Sequence, residues 1–151
     1  MEIRKANDED LKQLMIVYKQ FFPVHVIFTR SDDDVLSYLR NFKGEILVAF
    51  DNNRVVGGIA IEKKQFGHVL AELKHIAAIG KKKFVKNTVT ELIKKAEQSS
   101  NAAKVEFHIA DGETLKYSFF KKLGYKVEAK LASHYRPNEM CYILGKVISN
   151  G

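Results

Sequence analysis

Phe119-Phe120-Lys121-Lys122-Leu123-Gly124-Tyr125 ends a helix and starts a strand within seven residues. The lysines form a basic last turn, which suits the negative end of a helix dipole. Gly124 then stops the helix, because glycine enters the left-handed conformation without a Cβ clash. Upstream, Asp111 is placed to cap this helix, which reads as running from about Glu113 to Leu123. Downstream, Tyr125–Ala132 and Met140–Val147 read as a closing pair of strands around the loop Arg136-Pro137-Asn138.

The rest of the chain supplies what this ending packs against. Glu2–Ala6 reads as a strand, and Asn7-Asp8-Glu9-Asp10 offers capping side chains and negative charge for a helix start. Leu11, Leu14, Met15, Tyr18, Phe21 and Phe22 follow at helical spacing until Pro23. Ser31-Asp32-Asp33-Asp34 opens a second helix carrying Val35, Leu36, Leu39 and Phe42, closed by Gly44. Ile46–Phe50 and Val55–Ile61 flank the polar turn Asp51-Asn52-Asn53-Arg54 as a hairpin, and His68–Ile79 reads as a third strand. After Gly80-Lys81-Lys82-Lys83 comes a helix with an apolar stripe at Val85, Val89, Leu92, Ile93 and Ala96, then a strand at Lys104–Ile109. The order β-α-α-β-β-β-α-β-α-β-β predicts an α/β fold in one domain, 1–151, with helices packed on a mixed sheet.

Composition narrows the partners. Lys and Arg number 25 against 18 acidic residues, a formal charge of +7 that favours anionic ligands. The lysine-rich segments lack the interleaved aromatics and arginines of a base-stacking groove, so nucleic acid is the weaker reading. No apolar run suits a bilayer, and Met-Glu-Ile-Arg-Lys lacks the apolar stretch of a signal peptide, so none is expected. A single cysteine, Cys141, forms no internal disulfide, and the expected compartment is the cytoplasm. The five histidines and that cysteine show no metal-ligand spacing, so no metal site is expected.

The ending is similar to Leu-Tyr-x-Lys-x-Gly-Phe followed by two antiparallel strands, which closes the GNAT superfamily of acyl-CoA N-acyltransferases. The element order fits as well. The departure is Phe120, which stands where that family most often has tyrosine. The resemblance implies a sheet splayed between the fourth and fifth strands, acetyl-CoA or another acyl-CoA as co-substrate, and a small-molecule or protein amine as acceptor. It also allows a homodimer.

By the same resemblance, main-chain groups of Ala77, Ala78 and Ile79 would meet the pantetheine arm and supply an oxyanion donor. The pyrophosphate would lie at a helix N-terminus, where amide N–H groups are free. Counting back from Leu92 in Glu91-Leu92-Ile93 places that turn on Phe84, Val85, Lys86, Asn87, Thr88 and Val89, with Lys83 just before it also expected to contact the cofactor. Asn87 and Val89 then replace the family's two glycines, Val89 would crowd a phosphate, and Lys81, Lys82, Lys83 and Lys86 would add charge in compensation.

Direct attack of an amine on a thioester uses a base for the ammonium proton, an oxyanion donor and an acid for the thiolate. Glu72 resembles the general base of some family branches; alternatively it pairs with Lys74 or another lysine. Phe120, at the position beside the sulfur, has no proton to give, which leaves Tyr117 and Tyr135 as candidate acids. His25 sits between the first two helices, a segment that shapes the acceptor pocket in this family, and reads as a surface residue. His75 and His108 read as hydrogen-bonded interior residues, and His134-Tyr135 precedes the last strand. The fold without the reaction is the alternative: an acyl-CoA binder or protein-interaction module.

Overall fold

A computed structural model describes residues 1–148. Its elements are β1 (Glu2–Lys5), α1 (Asp8–Phe21), α2 (Asp32–Arg40), β2 (Glu45–Asp51), β3 (Arg54–Gln65), β4 (Val69–Ala78), α3 (Lys82–Ser100), β5 (Lys104–Ala110), α4 (Tyr117–Lys121), β6 (Lys126–Ala132) and β7 (Met140–Val147). This is the expected order. The strands form one sheet in the order β1-β2-β3-β4-β5-β7-β6, antiparallel throughout except where β4 meets β5.

Local chemistry sets the helix starts. The Asn7 side chain accepts from the Asp10 N–H while the Asp10 carboxylate accepts from the Asn7 N–H, both at 2.9 Å. Ser31 Oγ accepts from the Asp34 N–H at the start of α2. α4 starts later than expected. Asp111 does not cap it; residues 111–116 turn first, with the Glu113 N–H on the Ala110 carbonyl, and the helix begins after Lys116.

The sheet is covered on both faces. Leu92, Ile93 and Ala96 of α3 and Phe120 of α4 pack with Phe107 and Tyr125 on one side. Leu14, Tyr18, Val35 and Leu39 of α1 and α2 pack on the other. Gly57, in the middle of β3, permits the close approach of α3: a Cβ there would lie 2.7 Å from the Ala77 carbonyl oxygen and 3.1 Å from the Thr88 methyl. Among the described residues, no helix is long and apolar enough to cross a membrane.

Candidate active site

β4 and β5 run side by side for three rungs and then part. Leu70, Ala71 and Glu72 face Lys104, Val105 and Glu106, after which β4 continues to Ala78 and β5 to Ala110 with no further pairing between them. Just past the last rung, β4 carries a bulge opposite β3 between Gly58 and Ala60. His75 lies there in the left-handed region, φ +54°, an uncommon conformation for a residue with a Cβ. The gap widens into a cleft of about 510 Å³, lined by Ala78 at the end of β4 and Ile79 just beyond it, Phe21 of α1, Lys82 of α3 and Leu115 of the β5–α4 turn.

The free edge of β4 has a definite polarity. The Ile79 N–H is taken by the Val56 carbonyl at 2.9 Å, so it faces β3. Peptide directions alternate along an extended strand, which turns the N–H and C=O of Ala78 toward the cleft. Of Ala77, Ala78 and Ile79, Ala78 therefore presents the available donor. Ala77 is fully buried against the α1–α2 face.

The helix that follows opens at this cleft. Its first helical bond joins the Val85 N–H to the Lys81 carbonyl at 2.9 Å, leaving the N–H groups of Lys82, Lys83 and Phe84 without an intrahelical acceptor. Gly80, at φ +134°, makes the turn into the helix, and a Cβ there would sit 2.8 Å from the Phe84 ring. Lys81, Lys82 and Lys83 are exposed, and none forms an ion pair among the described residues. The opening turn thus falls one helical turn earlier than the sequence register put it. Lys83, Phe84 and Val85 lie on it, whereas Lys86, Asn87 and Thr88 stand in the next turn, where backbone N–H groups are taken by the helix. Thr88 and Val89 are fully buried, so Val89 crowds nothing at the helix mouth. Gly80 directly before three lysines, one turn ahead of the apolar stripe, was the sequence signal for the earlier register.

Glu72 points to the face of α1 and α2, opposite its buried neighbours Ala71 and Leu73. Lys64 Nζ lies 2.7 Å from one of its carboxylate oxygens and Lys74 Nζ 3.7 Å from the other, so it is paired with lysine on both sides. Lys74 is shared with Glu62 at 2.8 Å. Across the gap, His108 is the first residue past the last rung whose side chain joins this face, since Phe107 faces the core. Its Nδ1 is hydrogen-bonded to Tyr135 Oη at 2.7 Å, and the His134 ring lies 4.6 Å from that of Tyr135. Burial holds the His108 imidazole below the usual histidine range, against the pull of the Glu72 carboxylate. The β6–β7 loop carrying Tyr135 is braced by Arg136, whose guanidinium meets Glu139 at 2.7 Å.

The other candidates lie apart. Tyr117 lines a separate cleft with Ser118, Val127 and Tyr142. Phe120 is 3% exposed and packs edge-on against Phe107 at 4.9 Å. His25 is half-buried rather than superficial, with its ring 4.9 Å from Phe28. His75 meets Tyr18, Phe28 and Tyr38 edge to face and is hydrogen-bonded through Nε2 to Tyr38 Oη at 2.7 Å; burial pushes it down to about 3. Next to the cleft-lining Thr114 and Leu115, burial raises the Glu113 carboxyl to about 7. Sequence reasoning did not single out Glu113, because nothing in Asp-Gly-Glu-Thr announces a buried carboxyl. Among the described residues, no three His, Cys, Asp or Glu groups are placed to hold a metal ion.

No family model and no curated protein sequence matches the chain. Solved structures do. The aminoglycoside 6'-N-acetyltransferase from Enterococcus faecium superposes with a TM-score of 0.82 at 18% identity, over 100% of this chain and 99% of that one. An aminoglycoside 6'-N-acetyltransferase complexed with coenzyme A gives 0.76 at 17%, over 100% and 99%. An acetyltransferase of the GNAT family from Streptococcus pneumoniae gives 0.73 at 17%, over 98% and 99%. The fold is that of the GNAT superfamily.

Proposed function

We propose that this chain is an N-acyltransferase that moves an acetyl or other acyl group from coenzyme A to a primary amine. The observation that carries the reading is the unpaired edge of β4 beyond Glu72, ending beside the free amides of Lys82, Lys83 and Phe84. A pantetheine amide can add to that edge as an extra strand would. A diphosphate suits the helix opening, where amide donors, the dipole and the ammonium groups of Lys81 to Lys83 all favour negative charge. The Ala78 N–H is the donor for the developing oxyanion. Glu72 and Tyr135 stand on the acceptor side of the gap, whereas Tyr117 opens on another cleft. The GNAT fold and the coenzyme A complex of a structural neighbour support this reading.

A specific observation favours a second reading, in which the chain binds acyl-CoA without turning it over. Phe120 is packed into the core where an acid would stand, and Glu72 is held between two lysines. One experiment separates the two: calorimetric titration with acetyl-CoA, then thiol release measured over a panel of amines. Micromolar binding with thiol release in proportion to amine supports transfer. Binding without release from any amine supports the binder, and no binding at millimolar cofactor contradicts both.

A further inference from the structure

The last rung of the parallel pair brings two strands to one point and then releases them, and what stands at that point is a histidine and a tyrosine in contact. Glu72 of β4 and Glu106 of β5 end the pairing, and His108 is the next β5 residue on their face. Tyr135 comes from the far side, on a loop held by the Arg136–Glu139 pair. Its side chain is 61% exposed, yet its hydroxyl is fixed on His108 Nδ1 at 2.7 Å. A tyrosine that merely covered the loop would not need its oxygen aimed at an imidazole. The Glu72 carboxylate is occupied by Lys64 and Lys74, which leaves the imidazole as the neutral nitrogen base at the closed end of the gap, two residues past the last rung.

Resting on the acyl-transfer reading, we infer that Tyr135 and His108 form the proton-handling couple of the reaction, with Tyr135 Oη touching the amine and His108 positioned behind it. As the amine nitrogen bonds to the thioester carbon, the nitrogen becomes acidic. Its proton goes to Tyr135 Oη while the phenolic proton passes to His108 Nδ1. The C–S bond breaks, its electron pair leaves with the thiolate, and the products are an amide and coenzyme A. The imidazolium then returns its proton to solvent, and the thiolate takes one from solvent. The couple works when His108 starts neutral. The groups that face it are Glu72 and Lys74 of β4, Glu106 of β5, and His134 and Tyr135 of the β6–β7 loop. Burial dominates among them and keeps the neutral form to lower pH than 6.5.

The test uses the full chain, acetyl-CoA and three probe amines: spermidine, kanamycin and an unblocked alanine peptide. For whichever probe releases thiol, kcat/KM is measured from pH 5 to 9 in the wild type, His108→Gln, Tyr135→Phe and the double variant. Each single change is expected to lower kcat/KM by about 10²-fold or more, with the double variant no worse than either alone. His108→Gln is expected to remove the acid limb below pH 6.5 while leaving acetyl-CoA affinity within about twofold. Release that survives His108→Gln with the same pH profile, or losses that multiply in the double variant, overturns the couple alone. A wild type that binds acetyl-CoA and releases no thiol with any probe overturns both the couple and acyl transfer.

Discussion

Two side chains show how far the molecule departs from a minimal version of its fold. Phe120 is buried in the core, with its ring edge-on to those of Phe107 and Phe119. Phe120→Tyr is expected to lower stability by about 1–3 kcal/mol, because a phenol oxygen enters a packed site without a partner. The midpoint of urea unfolding reads this directly; an unchanged midpoint with faster thiol release would mean that the slot opens to the cleft. His75 makes the second case. Its folded pKa of about 3 lies below the ordinary 6.5, so between those values the unfolded chain binds the extra proton and stability falls as acid is added. From pH 6.5 to 5 the loss from this group is about 1.6 kcal/mol, the slope rising toward about 1.36 kcal/mol per pH unit as the unfolded histidine becomes fully protonated. In His75→Gln the stability–pH curve is expected to flatten over that window. A slope equal to that of the wild type would show that another group carries it.

At the scale of elements, α3 decides whether the cleft holds an anion. Its first turn carries free amides and exposed lysines, with no acidic residue in that turn to oppose a phosphate. Lys82→Glu combined with Lys83→Glu is expected to weaken coenzyme A binding by at least about tenfold, by removing two favourable charges and adding two repulsive ones. Calorimetry at low salt checks it, and an affinity within about twofold of wild type would contradict it. This element also marks the boundary of what was legible in the sequence. Caps such as Asn7 and Ser31, the hairpin turn at residues 51–54 and the stop at Gly124 act locally, so the chain order could be read from them. The start of α3 was marked by Gly80 and its three lysines, yet the register is easily misplaced, because Leu92-Ile93 and Thr88-Val89 both present buried pairs to the sheet, one turn apart. The shortening of α4 was hidden for a related reason: Asp111 looks like a cap, yet the chain turns once more before Tyr117.

The whole molecule is a sheet joined through a narrow seam. β1 to β4 form one antiparallel half, β5 to β7 the other, and only three parallel rungs connect them before the strands diverge. α1 and α3 pack on β3 and β4 from opposite faces. Fold class followed from element order, whereas the meeting of His108 with Tyr135 required the sheet to close, since these residues are 27 apart in sequence. That Glu72 pairs with lysine was an alternative the sequence offered, and its contacts with Lys64 and Lys74 bear it out; only the choice of Lys64, across the β3–β4 ladder, needed the strand register. The most direct measurement is a crystal structure of the chain grown with coenzyme A. The diphosphate should lie within hydrogen-bond reach of the Lys82, Lys83 and Phe84 amides, with the pantetheine along β4 at Ala78. Coenzyme bound elsewhere on the surface, or a saturated crystal with that cleft filled only by solvent, would contradict the account.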